Sequence, residues 1–275
     1  MKLAWLCLIA ACGSNGRSNG DLDAAHGADG HGSGSNTGGG FTVYAHSDTV
    51  LYTVDVTTKA LDTVGPFTAP SNDPITDLAV APDNTIYVIS ETALYTADAT
   101  TGHVTKLGSL SACGSKGVAL TTTPDGKLWT GDFMGTLCQI DTSQTPPAVL
   151  PPISMTSGMA LTGDLVAVGD GTVFGTAYKK SDAANQGTQL DNTLVKIDIP
   201  TGAVTPIGPT GYPKLFGVAF AANQVFGFTH DGTGHVVTID PTTGAGTLFG
   251  TFMDASNHGI SFGGAGVSSL VPIVE

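Results

Sequence analysis

The stretch Leu94-Tyr95-Thr96-Ala97-Asp98-Ala99-Thr100-Thr101-Gly102 carries the pattern on which this chain is built. Its alternating apolar and small or polar residues specify a short half-buried strand, and the Asp and Thr-Gly that follow specify a tight turn. The strand recurs as Leu51-Tyr52-Thr53-Val54-Asp55, Leu137-Cys138-Gln139-Ile140-Asp141, Leu194-Val195-Lys196-Ile197-Asp198 and Val236-Val237-Thr238-Ile239-Asp240. Its terminal aspartates are spaced by 43, 43, 57 and 42 residues. A second apolar element precedes every copy but the first: Asp77-Leu78-Ala79-Val80, Gly117-Val118-Ala119-Leu120, Gly158-Met159-Ala160-Leu161 and Gly217-Val218-Ala219-Phe220. A fifth, Gly259-Ile260-Ser261-Phe262, follows the last copy.

A period of about 40–45 residues filled by four short strands is the repeat of a propeller blade. Five copies predict an all-β fold, a five-bladed β-propeller of four-stranded antiparallel blades over residues 41–275. The unpartnered element at 259–262 is expected to supply the missing inner strand of the N-terminal blade, closing the ring and removing two exposed sheet edges. Gly117, Gly158, Gly217 and Gly259 then begin inner strands where the chain crowds the axis, and Asp77 takes that place in the remaining blade, its charge directed into the channel.

Charged residues are 12% of the 275, and Gly numbers 38, which suits strands and turns and leaves little material for long amphipathic helices. A net charge of −13 and the lack of any large Lys/Arg cluster exclude a nucleic-acid partner.

At the N-terminus Lys2 precedes an apolar run, residues 3–11, that is far short of the ~20 residues a membrane span needs. It ends in Ile9-Ala10-Ala11-Cys12-Gly13-Ser14. These residues resemble the lipobox of bacterial lipoproteins. The resemblance implies that residues 1–11 are a lipoprotein signal peptide, that Cys12 carries the lipid, and that the mature protein is exported and membrane-anchored, facing the periplasm or the cell exterior. Residues 12–40, the lipidated cysteine and a Gly/Ser-rich segment, have almost nothing apolar to bury and read as a flexible tether of about 30 Å r.m.s. span. With Cys7 in the signal and Cys12 lipidated, Cys113 and Cys138 remain, both on one blade, and are expected to form a disulfide in an oxidising compartment.

Residues 41–263 resemble the repeats of quinoprotein-like and related bacterial propellers, whose blades carry a similar Asp-x-x-Thr-Gly turn, here Asp98–Gly102 and Asp240-Pro241-Thr242-Thr243-Gly244. The tryptophan that follows those turns in the quinoprotein repeat is missing, so no quinone is carried over and no cofactor is assigned. The repeated aspartates are read as acceptors for turn amides.

Loops joining second to third strands share one face with the loops that lead into each inner strand, and ligands are expected there. His46, Asp48, Asp77, Glu91, Asp132, Asp170, His230, Asp231, His235, Asp254 and His258 are placed on that face. So are Tyr178, Lys179 and Lys180, in a ~14-residue insertion of the fourth blade that offers an aromatic beside two cations to a carbohydrate or protein ligand. Two readings stay open. One is a monomeric binding or scaffolding module tethered to a membrane. The other is a metal-assisted hydrolase or lactonase, or a polysaccharide-active enzyme, in which the carboxylates and imidazoles converge on a divalent cation at the channel mouth.

Overall fold

The computed structural model describes residues 42–69, 73–110, 113, 117–185 and 191–268. Cys12, the signal segment and the tether lie outside these residues. The described chain forms five antiparallel sheets, the blades of a five-bladed propeller. Blade 1 holds β1 (Thr42–His46), β2 (Val50–Asp55) and β3 (Leu61–Pro66). Blade 2 holds β4 (Ile75–Val80), β5 (Ile86–Ser90), β6 (Ala93–Ala97) and β7 (Val104–Ser109). Blade 3 holds β8 (Gly117–Thr122), β9 (Leu128–Asp132) and β10 (Thr136–Asp141), with its outer edge split into β11 (Ala148–Val149) and β12 (Ile153–Ser154). Blade 4 holds β13 (Met159–Ala167), β14 (Val173–Lys179), β15 (Thr193–Asp198) and β16 (Ala203–Pro209). Blade 5 holds β17 (Leu215–Ala221), β18 (Gln224–Thr229), β19 (His235–Ile239) and β20 (Gly246–Thr251). The chain then returns to blade 1 as β21 (Gly264–Gly266), pairing Tyr44 with Gly266, Ala45 with Ala265 and His46 with Gly264.

Five apolar clusters fill the gaps between neighbouring blades. The cluster at the closure joins Val43, Ala45 and Val54 of blade 1 to Phe226, Phe228 and Val236 of blade 5, with Phe262 between them. The repeated aspartates hold their turns as expected: Asp98 Oδ1 accepts the Thr100 and Thr101 amides, each at 2.9 Å, and Asp240 Oδ1 accepts those of Thr242 and Thr243 at 2.7 and 2.9 Å. The turn glycine that follows is required twice over. Gly102 has φ +73°, and a Cβ there would lie 2.7 Å from the Gly65 carbonyl oxygen on the preceding blade's outer strand. The anticipated Cys113–Cys138 disulfide is present, with Cα atoms 5.9 Å apart.

Two inner strands differ from expectation. Closure does come from the C-terminal segment, but from Gly264–Gly266 rather than 259–262, whose Ile260 and Phe262 amides bond the Phe252 and Thr229 carbonyls of blade 5. In blade 4 a register shift between Leu161 and Leu165 moves the axial segment from Gly158 to Asp164-Leu165-Val166-Ala167. By register, the five axial positions are therefore Asp77, Ala119, Asp164, Gly217 and Gly264.

Those positions explain what Asp77 does. In each inner strand the amide of the next residue is bonded to one of two carboxylates. Asp77 accepts Leu78 N–H at 2.8 Å and Leu120 N–H at 2.6 Å. Asp164 accepts Leu165 N–H at 2.5 Å, Val218 N–H at 2.8 Å and Ala265 N–H at 3.3 Å. Five buried donors, one per blade, thus end on two fully buried acids. Burial, and then the charge of its neighbour Asp164, raise the Asp77 carboxyl well above the carboxylate range, and it donates to Asp164. Burial likewise raises Asp164, to about 8, against the bond from Asp77. Two carboxylates cannot both be charged in such a place, so the pair keeps a proton. Asp77 is thus a proton-sharing cap at the hub, not a charge presented to an open channel.

Candidate ligand site at the axial mouth

Register places two rings of residues above this hub. The residue before each axial position is Thr76, Val118, Gly163, Phe216 or Gly263, and in blades 2, 3, 4 and 5 it falls at the inner-strand register shift. A bulge re-aims the side chain it carries, and Thr76, Val118 and Phe216 all line the cavity at this end of the axis. Above it, the residue two places beyond the second-strand position that faces the opening residue of the third-strand motif (His46, Ile89, Gly131, Thr176 and Phe228) is Asp48, Glu91, Phe133, Tyr178 or His230. Members of both rings, with Pro74 and Ile75, line a cavity of about 160 Å³: Thr76, Val118, Phe216 and Gly263 below, Asp48, Glu91, Phe133 and His230 above. The hub lies below it.

The cavity wall is aromatic. Phe216 and His230 stack at 4.7 Å with an interplanar angle of 1°, and Phe133 lies 6.0 Å from Phe216 at 53°. His230 Nδ1 is 3.0 Å from the Phe262 carbonyl, which only accepts, so Nδ1 carries the proton and Nε2 of the neutral ring is an acceptor. His46 sits lower, fully buried, with its ring edge on Phe67 and Nδ1 donating to Ser47 O at 2.8 Å. Its Nε2 has no partner among the described residues. Burial holds its pKa down to about 4, against the Ser47 bond and with the help of nearby His230.

Of the residues read from sequence, Asp48, Glu91 and His230 meet at the cavity, with His46 alongside Gly263 at its base. The others do not join them. Asp132 is buried and caps its own turn through the Met134 and Thr136 amides. Asp231 bonds the Thr233 amide and hydroxyl, and His235 opens β19 opposite Thr251. Asp254 accepts the Ser256 and His258 amides and lies 3.9 Å from His258 Nδ1. Asp170 is on the opposite face: it sits in the turn joining the first and second strands of blade 4 and bonds Thr172 N. Tyr178 is not in the insertion but within β14, its hydroxyl donating to Phe133 O at 3.0 Å. Lys179 ends that strand, and Lys180 begins a 3₁₀ turn with its amine beside Gly135. Among the described residues no group of three or more His, Cys, Asp or Glu side chains could hold a metal ion. Phe133 and Phe216, which shape the cavity, were not singled out by the sequence.

A larger hollow of about 460 Å³ lies on the opposite face between blades 3 and 4. Its polar groups are already engaged, Asp125 with Lys127 at 2.6 Å, Asp170 with Thr172 and Asp198 with Thr201, so the mouth is the better candidate.

No family model matches the chain, and no curated protein matches it either. Among solved structures it is similar to a Bacteroides caccae protein of unknown function (10% identity over 75% of this chain and 70% of that one, TM-score 0.45). It is also similar to virginiamycin B lyase from Staphylococcus aureus (12% identity, TM-score 0.43), covering 76% of this chain and spanning 66% of the lyase's length. A third structure, from work on the de novo evolutionary emergence of a symmetrical protein, is 16% identical, with 84% of this chain and 99% of that one covered and a TM-score of 0.46. Among the described residues no helix is long and apolar enough to cross a membrane.

Proposed function

We propose that this chain is an exported propeller lipoprotein, tethered through Cys12, that works as a binding module and takes a small ligand, or the tip of a larger one, at the axial mouth. The observation that carries the reading is the stacked Phe216–His230 pair with Phe133 beside it, lining a cup above the hub. At about 160 Å³ the cup is smaller than the ~300–1,000 Å³ typical of pockets for drug-sized ligands, so one ring or one head group is what it accommodates. The disulfide suits an oxidising compartment, and the lipobox-like residues supply the anchor.

Each half has its own test. A fragment screen on the full chain, followed by amide chemical shifts, is expected to give hits clustered at Thr76, Val118, Phe216 and Gly263 and weakened by Phe216→Ala. Hits clustered elsewhere would refute the mouth as the site. For the tether, cells grown with labelled fatty acid should label the wild-type chain and not Cys12→Ala; equal labelling of both would remove the anchor from the proposal.

A further inference from the structure

We infer that the outer edge of blade 5 is a strand-pairing surface for a second copy of this chain, and that Lys59 of blade 1 holds it closed. The outer strands are not alike. β3 carries Asp62 and Pro66, β7 carries Lys106, and β16 carries Pro206 and Pro209. The outer edge of blade 3 is broken into two strands of 2 residues each. Charges, prolines and short strands are the devices that keep a sheet edge from adding another strand. β20, Gly246-Thr247-Leu248-Phe249-Gly250-Thr251, has none of them. It ends its sheet, with Leu248 on it 47% exposed and Met253 just beyond it 43% exposed.

The guard comes from the neighbouring blade. In the Asp-turns of blades 2, 4 and 5 the amide that returns to the aspartate carbonyl belongs to Gly102, Gly202 or Gly244, at 2.9, 2.8 and 2.8 Å, and each of these glycines has a positive φ. Blade 1 makes the same turn, Lys59 N–H to Asp55 O at 2.8 Å, but with a lysine at φ +61°. A side chain is disfavoured in that conformation, so the contacts it makes must offset the strain. The Lys59 ammonium crosses the seam, lies 4.5 Å from the centre of the Phe249 ring and donates to the Phe249 carbonyl at 2.6 Å. It thus sets an exposed charge on the long outer strand that carries no guard of its own.

A second copy is the occupant because the edge is complementary to itself. Two β20 strands running antiparallel about a two-fold axis set Leu248 of each copy opposite Phe249 of the other, flanked by Thr247 opposite Gly250. The same symmetry brings both Lys59 ammoniums into the interface, so each lysine opposes the pairing.

The test is sedimentation velocity on the full-length chain and its variants over a wide concentration range, with thermal melting followed in parallel. The wild type is expected to sediment as a monomer. Lys59→Gly keeps the turn, since glycine serves in the sister turns, and removes the ammonium. Its fitted mass should shift from monomer toward dimer with concentration, more readily as salt screens the net charge of −13. Adding Leu248→Lys should return this variant to monomer, whereas adding Leu150→Lys, at an exposed residue on the outer edge of blade 3, should not. If loss of the clasp makes Lys59→Gly melt early, Lys59→Asn, which also tolerates a positive φ, carries the same expectation. A folded variant that stays monomeric throughout would overturn the inference, as would association that Leu248→Lys leaves intact. A wild type already paired through β20 would overturn Lys59 as the guard.

Discussion

At the scale of single residues, the hub turns on what Asp77 can donate and accept. Asp77→Ala strands the Leu78 and Leu120 amides in a dry axis and deprives Asp164 of its proton donor, a loss expected at about 3–5 kcal/mol in denaturant unfolding. Asp77→Asn keeps a donor for Asp164 and one oxygen for an amide but leaves the other amide without an acceptor, so it should cost about 1–3 kcal/mol, less than the alanine. Equal effects of the two substitutions would mean that size, not hydrogen bonding, matters at this position. The small axial neighbours follow from the same crowding. A Cβ on Gly264 would fall on Asp77 Oδ1 and 2.6 Å from His46 Nε2, so Gly264→Ala should destabilise by about 3 kcal/mol. Wild-type melting of the Gly264→Ala variant would show that the axis is looser than these contacts require.

At the scale of strands and turns, the repeated Asp-turns and the disulfide each hold one element. The Asp98 carboxylate, held down to about 2 by the Thr100 hydroxyl and amide and by Thr101, favours the folded chain above the ordinary aspartate pKa and loses that effect as pH falls from about 4 toward 2. Asp98→Ala should therefore lower the melting temperature at neutral pH and flatten the acid limb of the melting profile; an unchanged acid limb would remove the turn from the account. Opening the disulfide with Cys113→Ser should cost roughly 3 kcal/mol, because it frees a 25-residue separation in the unfolded chain. These elements were legible in the sequence because their signals are local: alternation, an Asx acceptor and a glycine that must take a positive φ. The inner strands of blades 4 and 1 were not. In β13 the Met159-Ala160-Leu161 triplet after Gly158 matches the other inner-strand motifs and so hides the register shift that makes Asp164, not Gly158, axial, and in β21 Gly264-Ala265-Gly266 has no strand-forming side chain and is a strand only because β1 lacks a partner. The mouth divides the same way. Asp48, Glu91 and His230 could be placed by their position after a second strand, whereas Phe133 and Phe216 look like core residues until bulges and ring order show which way they face.

At the scale of the whole molecule, three sets of buried or capped groups give stability a predictable dependence on pH. The turn carboxylates, Asp98 among them, lose their contribution only in strong acid. His46, buried neutral with its pKa lowered to about 4, favours folding above its unfolded value near 6.5 and loses that contribution as pH falls toward 4. The Asp77–Asp164 pair has the opposite sign: with pKa values raised above the unfolded ~3.9, the folded chain holds protons the unfolded chain has released, so stability declines as pH rises. Between pH 4 and 6.5 the histidine and the acid pair oppose one another. Above 6.5 His46 no longer titrates in either state, while the pair still holds at least one proton that the unfolded chain has released, so its contribution to stability goes on falling as pH rises toward 8. One proton held over that interval is worth on the order of 2 kcal/mol, so the melting temperature should drop clearly from pH 6.5 to 8, by an amount that Asp77→Asn reduces. Because the pair gathers an amide from every blade, the loss should appear as one cooperative transition of the whole ring, coincident in far-ultraviolet dichroism and in tryptophan fluorescence from Trp129 of blade 3. A flat profile above pH 6.5, or a blade 3 signal that separates from the global one, would show that the two aspartates do not bind the five blades into a single unit.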